Sequence, residues 1–216
     1  MRRRFRKKLL WGAGGAVLLV GLAGVLHIPL ARSLGAGCPF EANAPETAAD
    51  RDAQRKRATA VLRAEEPAPA RPALHFVLRK STRTDVQTWA EHAGAVCGPG
   101  LDPLGLACDG VEDGETVGTL HADFDALDAL VALSFVSRTT AAERASAGID
   151  GAVRGLEPTI GQPSRVSGDR TPAYLAAGPL RQARVEYRHS DYFAAVSATN
   201  MGSSGYLVTQ VYRAID

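Results

Sequence analysis

The chain has 216 residues, of which 45% are hydrophobic, 22% are charged and 6% are aromatic, and its formal net charge is +2. Its 22 glycines and 12 prolines are too few for collagen or low-complexity disorder, and its three cysteines are too few for a disulfide-scaffold fold. Six positive charges precede residue 9, and without them the chain has 19 basic and 23 acidic residues. The rest of the chain therefore lacks the basic excess of a nucleic-acid-binding domain, so we expect no nucleic-acid partner.

The first 31 residues have the pattern of a membrane anchor. Residues 9–31 carry no formal charge, and a helix of that length spans about 34 Å, enough to cross a hydrocarbon core of about 30 Å. By the positive-inside rule, residues 1–8 are a basic cytoplasmic tail and the chain after residue 31 lies outside the cytoplasm. We therefore predict a transmembrane signal anchor at 9–31 that contacts membrane lipid, with a periplasmic or extracellular C-terminal domain. The topology-determining residues are Arg2, Arg3, Arg4, Arg6, Lys7 and Lys8.

Two other interpretations of this segment stay open. Cleavage after the small residues 35–37 would give a secreted protein, and acylation of Cys38 would give a lipoprotein. Residues 34–38 resemble the bacterial lipobox, but Leu34 lies four residues before Cys38, where that motif has its leucine one residue closer. We favour the uncleaved anchor because the apolar stretch is longer than the roughly 7–15 residues of a cleavable signal peptide.

Residues 32–73 are predicted to be a spacer. A capping-box pattern at Thr47 begins a weak helix whose apolar residues are mostly alanines. Pro67, Pro69 and Pro72 then favour an extended, semi-rigid link. The folded extracytoplasmic domain is predicted to occupy residues 74–216.

The predicted domain begins with a strand and a helix. Residues 74–79 have the period-two pattern of a strand. Thr82 and Asp85 form a capping-box pattern, and Gly94 ends the helix that follows it. The apolar stripe of this helix is formed by Val86, Trp89, Ala90 and Ala93.

The rest of the domain is predicted to be mostly strands. A second helix begins with the capping-box pattern of Thr140 and Glu143 and stops before Pro158. An acidic loop is predicted at 110–115. The predicted strands are 95–98, 104–109, 120–125, 130–137, 183–189, 192–198 and 206–213.

This order of elements predicts the α+β class, with a mainly antiparallel sheet and two helices packed on one face. Both helices follow a strand, and their capping-box patterns begin 58 residues apart. The spacing is compatible with a duplicated βαββ unit, although capping boxes are common enough for the match to arise by chance.

Cys97 and Cys108 are predicted to form a disulfide. They lie on two short predicted strands with ten residues between them, so antiparallel pairing brings the thiols face to face. The predicted topology puts them in an oxidising compartment, where such pairs form bonds. Two separate buried thiols are the alternative.

His121, Asp123 and Asp125 are the candidate residues for chemistry. They alternate along one predicted strand, so an imidazole and two carboxylates share a face, which suits a divalent cation or acid–base catalysis. A solvated sheet face explains the same pattern, and no fourth ligand is identifiable. His189 and Asp191 form a second candidate pair. Because common nucleotide-binding, protease and redox motifs are missing, we predict no catalytic residues, no metal and no cofactor.

These observations favour a single-pass, membrane-anchored bacterial cell-envelope protein that presents a small non-catalytic α+β domain for binding or assembly. We expect its partner to be another envelope protein of unknown identity. The alternative is an envelope hydrolase or metal-binding enzyme that uses His121, Asp123 and Asp125. Aromatic residues of the last 30 positions are expected to be half-buried strand residues rather than a recognition surface; they are Tyr187, Tyr192, Phe193, Tyr206 and Tyr212.

Overall fold

The computed structural model describes residues 48–100, 103–113 and 116–215. The predicted basic tail, the predicted anchor at 9–31 and Cys38 lie outside these residues. Within the part of the chain that the structure describes, no helix is long and apolar enough to span a membrane.

The described residues form a mixed helical and sheet structure. Its helices are α1 (Ala48–Ala60), α2 (Arg83–His92), α3 (Ala142–Ile160) and α4 (Pro172–Ala176). Its strands are β1 (Pro72–Ala73), β2 (Phe76–Val77), β3 (Val96–Pro99), β4 (Gly105–Asp113), β5 (Thr116–Phe124), β6 (Leu130–Thr139), β7 (Arg165–Ser167), β8 (Gln182–Arg188), β9 (Tyr192–Asn200) and β10 (Tyr206–Ala214).

Eight strands form one antiparallel sheet in the spatial order β3-β4-β5-β6-β10-β9-β8-β7, and β1 pairs with β2 separately. The predicted α+β class with a mainly antiparallel sheet is therefore confirmed. Strands β3 to β6 form one meander and β7 to β10 form another, and the two meet where β6 pairs with β10. Each meander follows a longer helix, α2 or α3, so the repeat in the topology is a helix plus four strands, longer than the predicted βαββ unit.

One face of the sheet, the core face, carries the hydrophobic core. The register places Leu120, Phe135, Gln210 and Val196 side by side across β5, β6, β10 and β9. The buried residues of α2 and α3 belong to the same cluster as the apolar members of this row. Because side chains alternate along a strand, His121 and its neighbours across the sheet point to the opposite, outer face.

The two longer helices begin differently. The predicted capping box of α2 is confirmed, since the Thr82 hydroxyl accepts from the Asp85 amide at 3.3 Å and the Asp85 carboxylate accepts from the Thr82 amide at 2.8 Å. Helix α3 has Ala141 as its N-cap residue, and that residue provides no side-chain hydrogen bond. The predicted capping box of Thr140 and Glu143 is therefore wrong.

Helix α3 also passes through Pro158 and ends at Ile160, beyond the predicted stop. Proline near the end of a helix removes one backbone donor from the last turn only. The extra turn buries Ile160, which is 3% exposed, and this burial offsets the lost hydrogen bond.

Two segments have a backbone conformation that differs from the prediction. Residues 74–79 are not one strand, because the chain turns at Leu74, whose φ is 54°, and β2 folds back on β1. The predicted acidic loop is largely strand, because a bulge at Gly110, with φ of 76°, lets β4 continue to Asp113. Strand β7 and helix α4 were not predicted.

Residues 62–72 of the predicted spacer form a strap against the sheet. Leu62 packs against a small cluster of Phe193, Ala195 and Ile215 on the outer face. The Ala64 amide donates to the His189 carbonyl at 3.3 Å, and the Ser190 amide donates to the Glu66 carbonyl at 2.8 Å. Both backbone contacts join the strap to the turn between β8 and β9.

Asp191 holds the strap through its carboxylate. The carboxylate accepts from the Ala68 amide at 2.8 Å and from Nε and Nη2 of Arg71 at 3.0 and 2.7 Å. Burial by itself would raise the pKa of Asp191, but these hydrogen bonds outweigh burial and hold the pKa below its usual value. The ionised carboxylate is therefore the form that stabilises the fold.

The predicted pair of Cys97 and Cys108 is present. The two residues lie directly opposite in the register of β3 and β4, with an S–S distance of 2.08 Å. Cys108 is completely buried in the core, so the bond ties the short edge strand β3 to the sheet.

Asp191→Ala is expected to lower the free energy of unfolding at pH 7 by about 2–3 kcal/mol, because it removes three hydrogen bonds to a partly buried charge. The matched control is Asp150→Ala, whose more exposed pair with Arg170 should cost about 0–1 kcal/mol. The difference in free energy of unfolding between wild type and Asp191→Ala should have its full value above the unfolded-state pKa of 3.8. It should shrink as the pH falls through the lowered folded-state pKa of Asp191. Urea unfolding of the full-length chain at a series of pH values measures both effects, and equal losses in the two variants would contradict the strap contact.

Replacing both Cys97 and Cys108 with alanine is expected to lower the free energy of unfolding by about 2–3 kcal/mol, because the unfolded chain loses a short covalent loop. Alanine avoids placing a hydroxyl at the buried position of Cys108. Denaturant unfolding of the double variant and of the oxidised wild type measures the change. A single Cys38→Ala variant is the control for thiol loss, and a double variant as stable as wild type would show that the bond contributes nothing.

Candidate functional site

An open cleft lies between helix α3 and the core face of the sheet. Its volume is about 430 Å³, which is within the usual range for small-molecule sites. The residues of α3 that line the cleft run from Arg144 to Leu156, about 18 Å along the helix axis. Strand β1 contributes Pro72 to the lining, and the turn between β1 and β2 contributes Leu74 and His75.

Glycines of α3 form one wall of the cleft. Gly148, Gly151 and Gly155 all line it, and their spacing puts them on one side of the helix. A Cβ at Gly148 would contact Val208 at 3.4 Å, whereas a Cβ at Gly151 or at Gly155 would meet no atom within 4 Å. Glycine inside a helix costs about 0.5–1 kcal/mol relative to alanine. A Cβ at Gly148 would therefore make an ordinary van der Waals contact, and at the other two positions it would enter open space.

Gln210 and Ser137, two buried residues of the sheet, line the cleft. Each has a polar group without a hydrogen-bond partner among the described residues. Gln210 is 9% exposed, and its Oε1 accepts from the Tyr212 hydroxyl at 2.6 Å. Among the described residues, no acceptor bonds the Nε2 of Gln210 and no partner bonds the hydroxyl of Ser137, which is 5% exposed. Both groups open into the cleft, where a ligand or water can bind them.

Tyr212 orients the amide of Gln210. Burial raises the pKa of the Tyr212 hydroxyl well above its usual value, and the negative charge of Asp113 raises it further. The hydroxyl therefore stays protonated and donates to Oε1 of Gln210. The Nε2 group of the Gln210 amide can therefore donate a hydrogen bond into the cleft.

A histidine–aspartate pair lies on the rim of the cleft. Nε2 of His75 lies 3.1 Å from a carboxylate oxygen of Asp113, and the His75 ring lies 4.7 Å from the Trp89 ring between centroids. These contacts connect the turn between β1 and β2 to β4 and α2. They hold one wall of the cleft in place, while Arg144 stands on the rim at the first turn of α3.

The arrangement suits binding of an amphipathic molecule. The glycine wall and the side chains of Leu74, Leu156 and Val208 offer apolar contact. The free donors are the amide of Gln210 and the hydroxyl of Ser137, and Arg144 is the charged lining residue of α3. A ligand with an apolar body and oxygen acceptors would satisfy all of these groups.

The candidate residues for chemistry lie elsewhere. His121 and Asp123 share the outer face, as the strand prediction implied, but Asp125 lies in the turn after β5. There it accepts from the Leu127 and Ala129 amides and pairs with Arg79 at 3.0 Å. Within the described ranges, no group of three or more histidine, cysteine or acidic side chains is placed to hold a metal ion.

The side chains of the second candidate pair, His189 and Asp191, make different contacts. Asp191 is occupied by the strap, and His189 contributes its backbone carbonyl to the strap and its ring to a contact with Tyr192 at 6.1 Å between centroids. Neither side chain lines the cleft.

The C-terminal aromatic residues are mostly core residues. Tyr187 and Tyr192 are completely buried, and Phe193 and Tyr212 are 3% and 2% exposed. Burial raises the pKa of Tyr187 to about 12, and its hydroxyl has no hydrogen-bond partner among the described residues. Tyr187, Tyr192 and Phe193 are therefore core residues, whereas Tyr212 lines the cleft.

Two features of the sequence coincide with the cleft, although neither predicts it by itself. Gln210 stands between Val208 and Tyr212 at a strand position whose neighbours on the same face are buried, so its polarity was unusual for that position. Glycines at 148, 151 and 155 in a long amphipathic helix were equally unusual. Nothing in the sequence showed that the two sets face each other.

Gly151→Ala and Gly155→Ala are each expected to raise the free energy of unfolding by about 0.5–1 kcal/mol, because alanine favours the helix and its Cβ enters open space. Gly148→Ala is the matched comparison, since its Cβ would make an ordinary contact with Val208, and it should raise the free energy of unfolding at least as much. Urea unfolding of the three full-length variants measures the changes. A loss of stability in Gly151→Ala or Gly155→Ala would mean that the cleft is closed in solution.

Comparison of the chain with protein-family models, with curated proteins and with solved structures found no match. The geometry of the cleft and the pattern of the sequence are therefore the grounds on which a function is proposed.

Proposed function

We propose that this protein is a single-pass, membrane-anchored cell-envelope protein whose extracytoplasmic domain is a non-catalytic binding module. Its ligand is a small amphipathic molecule held in the cleft between α3 and the sheet. The uncharged stretch at 9–31 and the six basic residues before it support the anchor. The disulfide supports an oxidising compartment.

The cleft is the observation that carries the binding function. Two exposed helix glycines border it at a cost in helix stability and without a packing reason, and the Nε2 of Gln210 and the hydroxyl of Ser137, which have no hydrogen-bond partner among the described residues, open into it. A protein under selection for stability alone would fill such a space with side chains. A bound molecule supplies both the missing apolar contacts and the missing hydrogen bonds.

The lining favours binding over catalysis. The titratable side chains that line the cleft are His75, Asp113, Arg144 and Tyr212. His75 and Asp113 are paired with each other and held by the Trp89 ring, and Tyr212 is kept protonated by burial. The remaining charge, Arg144, is suited to attract a ligand rather than to transfer a proton. An envelope protein as the further partner stays a prediction from the sequence.

The test uses hexan-1-ol, a neutral amphiphile, with the full-length chain held in amphipol. Saturation-transfer difference NMR should show saturable binding to wild type, because the chain of the alcohol occupies the glycine wall. Gly151→Leu should weaken binding by about tenfold or more, since its side chain fills the cleft. Arg154→Leu adds the same side chain to α3 at an exposed position outside the cleft, and it should bind like wild type.

Equal binding of hexan-1-ol by wild type and Gly151→Leu would contradict the proposed function. Thermal unfolding of each variant confirms that differences in binding do not come from loss of the fold.

A further inference from the structure

Two neighbouring segments at one end of the sheet form an exposed apolar surface, which we call the tip. Residues 176–181 connect α4 to β8, and residues 201–205 connect β9 to β10. Leu180 is 75% exposed and Met201 is 40% exposed. The segments lie side by side, since a Cβ at Gly202 would lie 3.8 Å from Cβ of Pro179. The other exposed apolar residues of the first segment are Ala176, Ala177 and Pro179.

Leu180 has a backbone conformation that is unusual for leucine. Its φ is 61°, in the left-handed region, where a side chain with a Cβ costs free energy and glycine or asparagine is the ordinary residue. Burial does not offset this cost, because three quarters of the residue is exposed to solvent. A strained residue whose side chain contributes little to packing points to a contact outside the domain.

The buried side chain of Asn200 holds the two segments of the tip together. Asn200 is 7% exposed; its Nδ2 donates to the Leu175 carbonyl and its Oδ1 accepts from the Gly202 amide, both at 2.8 Å. Its backbone carbonyl accepts from the Leu180 amide at 2.7 Å, and its backbone amide donates to the Arg181 carbonyl at 2.9 Å. These four hydrogen bonds fix the backbone that displays Leu180, so a contact at the tip needs little further ordering.

The tip carries a positive charge beside its apolar residues. Arg181 is the one charged residue in segments 172–182 and 200–206. Its guanidinium lies 5.3 Å from the centroid of the Tyr174 ring. An apolar surface with a cation and no carboxylate in its own segments fits an anionic lipid surface, because apolar burial and electrostatic attraction then act together.

The length of the preceding chain lets the tip reach a membrane that holds the predicted anchor. The tip lies at the end of β9 opposite to Asp191, which holds the strap, and the nine residues of β9 span about 30 Å. Residues 32–61 lie between the predicted anchor and the strap, and even as one continuous helix they would span about 45 Å.

We propose that the tip contacts the surface of an anionic lipid bilayer. Leu180 and Met201 insert at the boundary between headgroups and acyl chains, and Arg181 binds lipid phosphate. This inference rests on the anchor of the proposed function, which keeps the domain beside the bilayer. The contact gives the domain a fixed orientation, with the strap end of the sheet turned away from the lipid.

Electron paramagnetic resonance of a spin label tests this contact in the full-length chain. Leu180→Cys in a Cys38→Ala background is labelled with a nitroxide, whose apolar side chain stands in for leucine. The chain is reconstituted in nanodiscs of equal parts phosphatidylglycerol and phosphatidylcholine. The collision rate of the label with oxygen, relative to a water-soluble nickel chelate, should be at least about threefold higher than in amphipol, because oxygen dissolves in the bilayer and the chelate does not. Nanodiscs of phosphatidylcholine alone should give a smaller rise.

Leu127→Cys, labelled in the same background, is the matched control. Leu127 is 89% exposed in the turn between β5 and β6, at the other end of the sheet, and its neighbours in the turn include Asp125 and Asp128. Its collision ratio should be the same in nanodiscs and in amphipol. Adding Arg181→Gln to the labelled Leu180→Cys chain should lower the ratio in anionic nanodiscs by about twofold or more, because the electrostatic attraction is lost. Thermal unfolding of each variant checks the fold.

A label at position 180 whose ratio in anionic nanodiscs equals that of the label at 127 would overturn the contact. A label at 180 that is already immobilised in amphipol would show a protein contact at the tip and would overturn it as well. Retention of the chain by the nanodiscs in size-exclusion chromatography tests the anchor separately. If the chain is not retained, the anchor fails, and the same label is read with anionic vesicles added to the soluble chain. A raised ratio there supports the tip, and an unchanged ratio overturns it.

Discussion

Strands β6 and β10 come from the two halves of the chain, and their antiparallel pairing joins two meanders into one eight-stranded sheet. This pairing sets Ser137 opposite Val208 in the middle of the core face. Helix α3 connects the two meanders, and Val208 contacts its wall at Gly148. The walls of the cleft therefore come from β6, β10 and the helix between the halves. Any change of register in this pairing would move Ser137 and Gln210 away from the glycines.

Helix stability and open space beside the helix oppose each other along α3. The helix buries a regular apolar stripe that includes Ile149 and Val153, and that burial secures it on the sheet. On its neighbouring side, Gly151 and Gly155 weaken the helix and leave space. The strap and the disulfide stabilise other parts of the domain, the first at the β8–β9 turn and the second at the edge strand β3. The space beside α3 therefore stays open, while the apolar stripe on its other side holds the helix on the sheet.

Local signals in the sequence predicted local structure well. The strands β5 and β6, the capping box of Thr82 and the pairing of Cys97 with Cys108 were predicted correctly, because each depends on residues close in sequence or on adjacent strands. The prediction at Thr140 failed because the helix begins at Ala142, where the end of β6 rather than a side-chain cap sets its start. The spacer was predicted from its prolines and charges, but the carboxylate that holds residues 62–72 lies 120 positions away from Arg71 and could not be seen locally.

The sequence by itself determined the α+β class, the antiparallel sheet and the facing cysteines, because periodicity and turn residues fix which side of each element is apolar. It also marked Gln210 and the α3 glycines as unusual for their positions. Only the tertiary structure decided that these residues face one another across a cleft, because β10 is placed beside β6 by long-range pairing. The candidate residues for chemistry were only partly predictable. Strand periodicity placed His121 and Asp123 on one face of β5, but Asp125 lies in the turn after β5 and does not share that face.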